Sequence, residues 1–206
     1  MIMKNDSLVM AGGELLEAIS DNLLLEDYSL LKDIPLFGTV LGAVNLYSTL
    51  KARIFTKKVY AFLYEFNPEE LEKFKEVINN KATEDLGFEV MNVIDNANKI
   101  NQVQMIARAI KQYIFSLETG NNSRNIFDHN IHIINQLDNY LVSGMHAIYG
   151  GQTSIRSSHV DQALFNLGLV NQKNEPALAG AESYPKLSFV ASITGEEFYN
   201  KIVIDN

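Results

Sequence analysis

A chain of 206 residues, 47% hydrophobic and 20% charged, can bury a real core in one large domain, or in a main domain with a small appendage. The absence of cysteine excludes disulfide frameworks, thiolate zinc sites, iron–sulfur clusters and cysteine nucleophiles, and it suits a reducing, cytoplasmic compartment. The net charge of −8 supplies no overall field toward nucleic acid, and the excess acid lies at both ends of the chain: residues 1–50 and 121–206 are acidic, whereas 51–120 balance.

Met1–Leu8 has one lysine but no apolar run or small-residue cleavage site, so no secretory signal is expected. Leu15, Leu16, Ile19 and Leu23 recur at helical spacing after Gly12-Gly13. Ile34–Leu50 then runs for seventeen residues without a formal charge, with Pro35 where a helix would start. Gly38 and Gly42, followed by Ala43, would let a second helix approach closely. Lys51, Arg53, Lys57 and Lys58 follow at once, as a membrane anchor would be placed. The length is at the lower limit for a bilayer span, and Asn45, Ser48 and Thr49 favour a buried helix at a tight crossing over insertion into a membrane or partner.

Downstream, Phe55, Val59, Phe62, Leu63 and Phe66 form one apolar face. Asn67-Pro68-Glu69-Glu70 reads as a helix start, with a capping side chain, proline in the first turn and acids at the positive end of the dipole. Leu71, Phe74, Val77 and Ile78 give that helix its stripe. Thr83 opens another, with Leu86, Val90, Val93 and Ile94 on one side. Ile100, Val103, Ile106, Ala107, Ile110, Ile114 and Leu117 form the longest pattern, closed near Gly120. Ser123 caps the next helix, marked by Ile126, Ile133, Ile134, Leu137 and Leu141. Short polar turns between these segments predict antiparallel neighbours in a bundle over residues 1–150.

The pattern changes over residues 151–206. A short helix through Val160, Ala163, Leu164 and Leu167 ends at Gly168, a strand starts at Leu169-Val170, and a polar loop leads to a strand over Leu187–Ile193. Gly195 then opens a last helix through Glu196–Ile204. Leu164, Leu167-Gly168-Leu169-Val170 and Gly195-Glu196-Glu197-Phe198 with Ile202 resemble a winged helix. That pattern places a threonine three residues before the glycine, whereas Thr194 directly precedes Gly195 here. The predicted fold is therefore mainly α: a helical bundle with a small C-terminal winged-helix-like α+β module, its strands confined to residues 165–195. The module's bases, Arg156, Lys173, Lys186 and Lys201, are outnumbered by acids, so duplex DNA is not an expected partner.

Arg124-Asn125-Ile126-Phe127-Asp128-His129 resembles the R-N-x-x-x-H motif of the HEPN family, helical bundles that often cleave RNA as dimers. The resemblance implies that Arg124 and His129 face a phosphodiester and that Asn125 orients them. Histidine can move a proton near neutral pH, and arginine can stabilise a pentavalent phosphate without a metal. Asp128, His129 and His132 share a helical face but leave a metal short of ligands. The Ser29-x-x-Lys32 spacing lacks the companion motifs of penicillin-recognising enzymes. No metal or cofactor is expected.

Asp33-Ile34-Pro35-Leu36-Phe37-Gly38, then Ile54-Phe55 with Lys57-Lys58 and Phe62-Leu63, resemble a loose group of small helical bacterial proteins, some suspected in phage defence. The resemblance covers about residues 30–142 and implies a helical fold without a defined activity. The favoured expectation is a non-enzymatic bacterial protein, cytoplasmic or membrane-associated. It would act through a protein partner, self-association as a homo-oligomer or membrane contact, with Gly38, Gly42, Ala43, Lys51, Arg53, Lys57 and Lys58 as the interacting residues. The alternative is a HEPN-like protein that cleaves RNA, with Arg124, Asn125 and His129 at the site.

Overall fold

A computed structural model describes residues 50–80, 85–120, 124–151, 156–174 and 187–204. The segment 34–49, with Gly38, Gly42 and Ala43, lies outside these residues, as do the expected caps Thr83 and Ser123. The chain is mainly helical, with a two-stranded antiparallel sheet near its C-terminal end. Helices α1 (Leu50–Leu63), α2 (Pro68–Asn79), α3 (Leu86–Asn96), α4 (Ile100–Glu118), α5 (Arg124–Gln136) and α6 (Asn139–Tyr149) are followed by α7 (Ser158–Asn166). Strands β1 (Val170–Asn174) and β2 (Leu187–Ala191) pair with Val170 opposite Ala191. Helix α8 (Ile193–Phe198) runs directly into a π-helical turn, Tyr199–Val203.

The start of α2 follows its local chemistry. Asn67 Oδ1 accepts from the Glu70 N–H at 2.9 Å, and Glu70 Oε2 accepts from the Asn67 N–H at 2.9 Å. Phe62, Phe66 and Phe74 then join α1 to α2, with ring centroids 5.1–5.6 Å apart. Helix α4 is the axis of the bundle. Its buried Val103, Met105, Ile106, Ile110 and Ile114 meet α1, α2, α3 and α5 in one continuous core, each large side chain contributing roughly 1.5–3 kcal/mol by leaving water.

One expected helix is two. The apolar residues from Ile126 to Leu141 belong to α5 and α6, broken at Leu137-Asp138. Asp138 starts α6 by accepting from the Leu141 N–H at 2.8 Å. The end of α5 is closed from a distance: the buried Gln102 Nε2 donates to the carbonyls of Ile134 and Leu137 at 3.1 and 2.9 Å. Gln102 Oε1 accepts from the N–H groups of Asn98 and Lys99, so one side chain satisfies backbone groups at two helix ends. Ile126 was expected on the buried stripe but is 60% exposed, because α5 buries the face carrying Phe127, Ile133 and Ile134.

In the C-terminal region α7 ends at Gly168, whose φ of 73° suits glycine; its N–H reaches the Phe165 carbonyl at 2.9 Å and the next N–H reaches Leu164. The strands fall within the expected 165–195 window. The last helix begins earlier than expected, at Ile193, because Ser192 caps it by accepting from the Gly195 N–H at 2.9 Å. Arg108 of α4 ties this end to the bundle. It donates from Nη1 to the carbonyls of Ile202 and Val203 at 3.1 and 3.0 Å, and from Nε to Glu65 at 2.9 Å.

Candidate functional site

Arg124 is the first residue of α5 and its side chain turns toward α3. Nη2 donates to Glu89 Oε2, Nε donates to Asp128 Oδ1 at 2.9 Å, and the guanidinium lies 5.4 Å from the Phe127 ring centroid. Partial burial works against its charge, but the hydrogen bonds to Glu89 and Asp128 outweigh that and hold its pKa above the ordinary arginine value. The cation is thus matched by two carboxylates of this chain.

Asn125 and His129 are one helical turn apart and face a different way. They line a groove of about 650 Å³ between α4, α5 and α8. Five helical positions separate Arg124 from His129, which puts them about 140° apart around the axis at 3.6 residues per turn. The structure therefore brings Asn125 and His129 together and sends Arg124 elsewhere. The floor of the groove is apolar, with Phe127, Ile133, Phe198 and Ile202. Its lips are Phe115, 64% exposed, and Ile126, 60% exposed, while Glu197 and Lys201 stand at its edge.

His132 is exposed and lies 2.7 Å from Gln136 Nε2. Among the described residues, no three His, Asp or Glu side chains are grouped to hold a metal ion. Of the basic run, Lys51 is exposed, Lys57 is half-buried and Arg53 shares α1 with them. Lys58 Nζ donates to the Asp95 carbonyl at 2.6 Å, where its charge favours the C-terminal end of α3. No helix among the described residues is long and apolar enough to cross a membrane.

Sequence reasoning missed Glu89 as the partner of Arg124, thirty-five positions away, for which no local signal exists. It also missed Phe115 and Ile126 as lips of a groove. Ile126 falls in the apolar pattern of its helix, and Phe115 lies off the α4 stripe, so neither marks a groove until the packing of α5 is known. Comparison with known protein families, curated proteins and solved structures found no match to this chain.

Proposed function

We propose that this chain is a non-enzymatic bacterial protein that acts through protein contacts, with self-association through the groove between α4, α5 and α8. The observation that carries this reading is the groove itself: two large apolar side chains stand mostly in solvent above an apolar floor. Its edge holds one acid and one base, Glu197 and Lys201. These two face each other within the chain as an i,i+4 ion pair at 3.9 Å, so the edge presents no unbalanced charge to a second copy. A role in phage defence rests only on the resemblance of residues 30–142 to that bacterial group, and membrane contact rests only on the composition of 34–58.

The RNA-cleaving alternative needs Arg124 and His129 on one phosphodiester. Arg124 lies instead between Glu89 and Asp128, which compete with phosphate for its donors. The expected result is that Arg124→Ala and His129→Ala leave any effect of the protein on RNA unchanged.

Sedimentation equilibrium tests the self-association reading. The wild type is expected to dimerise, and Phe115→Glu and Ile126→Glu to be monomeric with nearly unchanged melting temperatures, since both side chains are largely exposed. A wild type that stays monomeric at every concentration, or variants that dimerise as well as it does, would overturn the reading.

A further inference from the structure

The groove between α4, α5 and α8 holds a titratable group that the function proposed above does not use. His129 lines it in an exposed position, one helical turn from Asn125. The floor around it is apolar, so a second copy seated on Phe115 and Ile126 takes the imidazole out of water with them. A neutral imidazole can enter such a contact with one hydrogen bond to a neighbour. An imidazolium cannot be buried there without an anion beside it, except at high cost.

Among the described residues, each carboxylate near the groove is already matched. From α4 the groove is lined by the uncharged Gln112, Ser116 and Thr119 and by the buried phenol of Tyr113. On α5, Asp128 accepts from Arg124 Nε at 2.9 Å, and Arg124 turns toward α3. From α8 and the π-helical turn, Glu197 lies 3.9 Å from Lys201. The groove is thus balanced while His129 is neutral and carries one excess positive charge when His129 is protonated. A two-fold contact doubles that excess, because it places the His129 of both copies in one interface.

We propose that self-association through this groove is switched by His129: the neutral side chain permits it and protonation opposes it. Such regulation presupposes the self-association proposed above and adds to it a dependence on pH. Histidine takes up its proton near pH 6.5, about the middle of the physiological range. A histidine that must be neutral in the dimer costs about tenfold in affinity between about pH 8 and pH 5.5, and two such histidines cost about a hundredfold. The chain's overall charge works the other way, since −8 falls in magnitude in acid and eases the repulsion between copies. A dimer that weakens on acidification therefore points to a local group.

Sedimentation equilibrium of the full chain at about pH 8 and about pH 5.5, in the same salt, tests this. The wild-type dissociation constant is expected to rise at least about tenfold at the lower pH. For His129→Gln the two constants should agree within about twofold, whatever the affinity of that variant at the higher pH. Glu197→Gln should keep the wild-type rise, which separates His129 from a titrating carboxylate. A wild type that dimerises equally well at both pH values, a His129→Gln protein that keeps the rise, or a Glu197→Gln protein that loses it would overturn the switch and leave self-association standing. A wild type that stays monomeric at every concentration at both pH values would overturn both.

Discussion

The bundle and the C-terminal region share one apolar core but differ in how much is added to it by bonds aimed at backbone atoms. In the bundle, Phe62, Phe74, Ile94, Ile106, Ile110 and Ile134 are fully buried at helical intervals, and apolar volume does most of the holding. Past Gly150 the chain buries Leu164, Leu169, Val170 and Ile202 in the same core and adds contacts aimed at backbone. The Tyr149 hydroxyl donates to the Leu169 carbonyl and accepts from the Ser192 N–H at 3.2 Å, and Arg108 reaches the carbonyls of Ile202 and Val203. Gly195 lies so close to the Leu169 carbonyl and the Tyr149 hydroxyl that a Cβ cannot be accommodated without displacement. Apolar volume tolerates exchange for side chains of similar size. Directed contacts to backbone atoms do not, so substitutions at Tyr149, Arg108 and Gly195 should be felt more sharply than exchanges of similar size in the apolar core.

The largest expected effect falls on the residue that joins the two. The side chains of Arg108 and Glu65 are only 11% and 5% exposed, and Glu65 also accepts from Gln104 at 2.9 Å. Arg108→Met would leave a nearly buried carboxylate without its cation and two carbonyls without their donor. Breaking such a pair costs roughly 3–5 kcal/mol. Urea unfolding should show a loss of that size. A loss below about 1 kcal/mol, the scale of exposed pairs, would mean that the two regions are not coupled through this residue.

This division also explains what could be read from the sequence. The Asn67 capping box, the stripe of α4 from Val103 to Ile114 and the Gly168 stop are local, and each was legible because its cause lies within a few residues. The break between α5 and α6 was only half legible. Asp138 could be read as a cap, but Gln102, which closes the end of α5 from thirty-five positions away, could not. Thr194 drew attention because it adjoins Gly195, while Ser192, three residues before that glycine, makes the capping bond. At the candidate site the motif residues were visible, but the face that each presents was not. The spacing alone sets Arg124 about 140° from His129 on a helix, but that the His129 side meets the groove and the Arg124 side meets Glu89 of α3 depended on packing.

The second effect sharpens the contrast within the C-terminal region. Gly195→Ala forces the added methyl against a carbonyl oxygen, which cannot rotate away as a side chain could. Overpacking of this kind costs roughly 1–3 kcal/mol, and more where backbone must move. Native-state hydrogen exchange should show the loss first in residues 187–204, with amides of α4 still protected. Equal loss of protection in both regions would show that they open as one unit.

The smallest effect belongs to the most conspicuous residue of the sequence motif. Arg124 bonds to Glu89 and Asp128, yet its side chain is 37% exposed and theirs are 43% and 54% exposed. Exposed pairs of this kind are worth roughly 0–1 kcal/mol. Arg124 also stands at the first position of α5, where the positive end of the dipole disfavours a cation by roughly 0.3–1 kcal/mol. Arg124→Ala loses the first contribution and gains the second. Its net change should therefore lie within about 1 kcal/mol of zero, and it should shrink further in concentrated salt, which screens both contributions. Urea unfolding at low and high salt measures this directly. A salt-insensitive loss above about 2 kcal/mol would show that Arg124 is held as Arg108 is, and that the motif anchors the fold instead of decorating its surface.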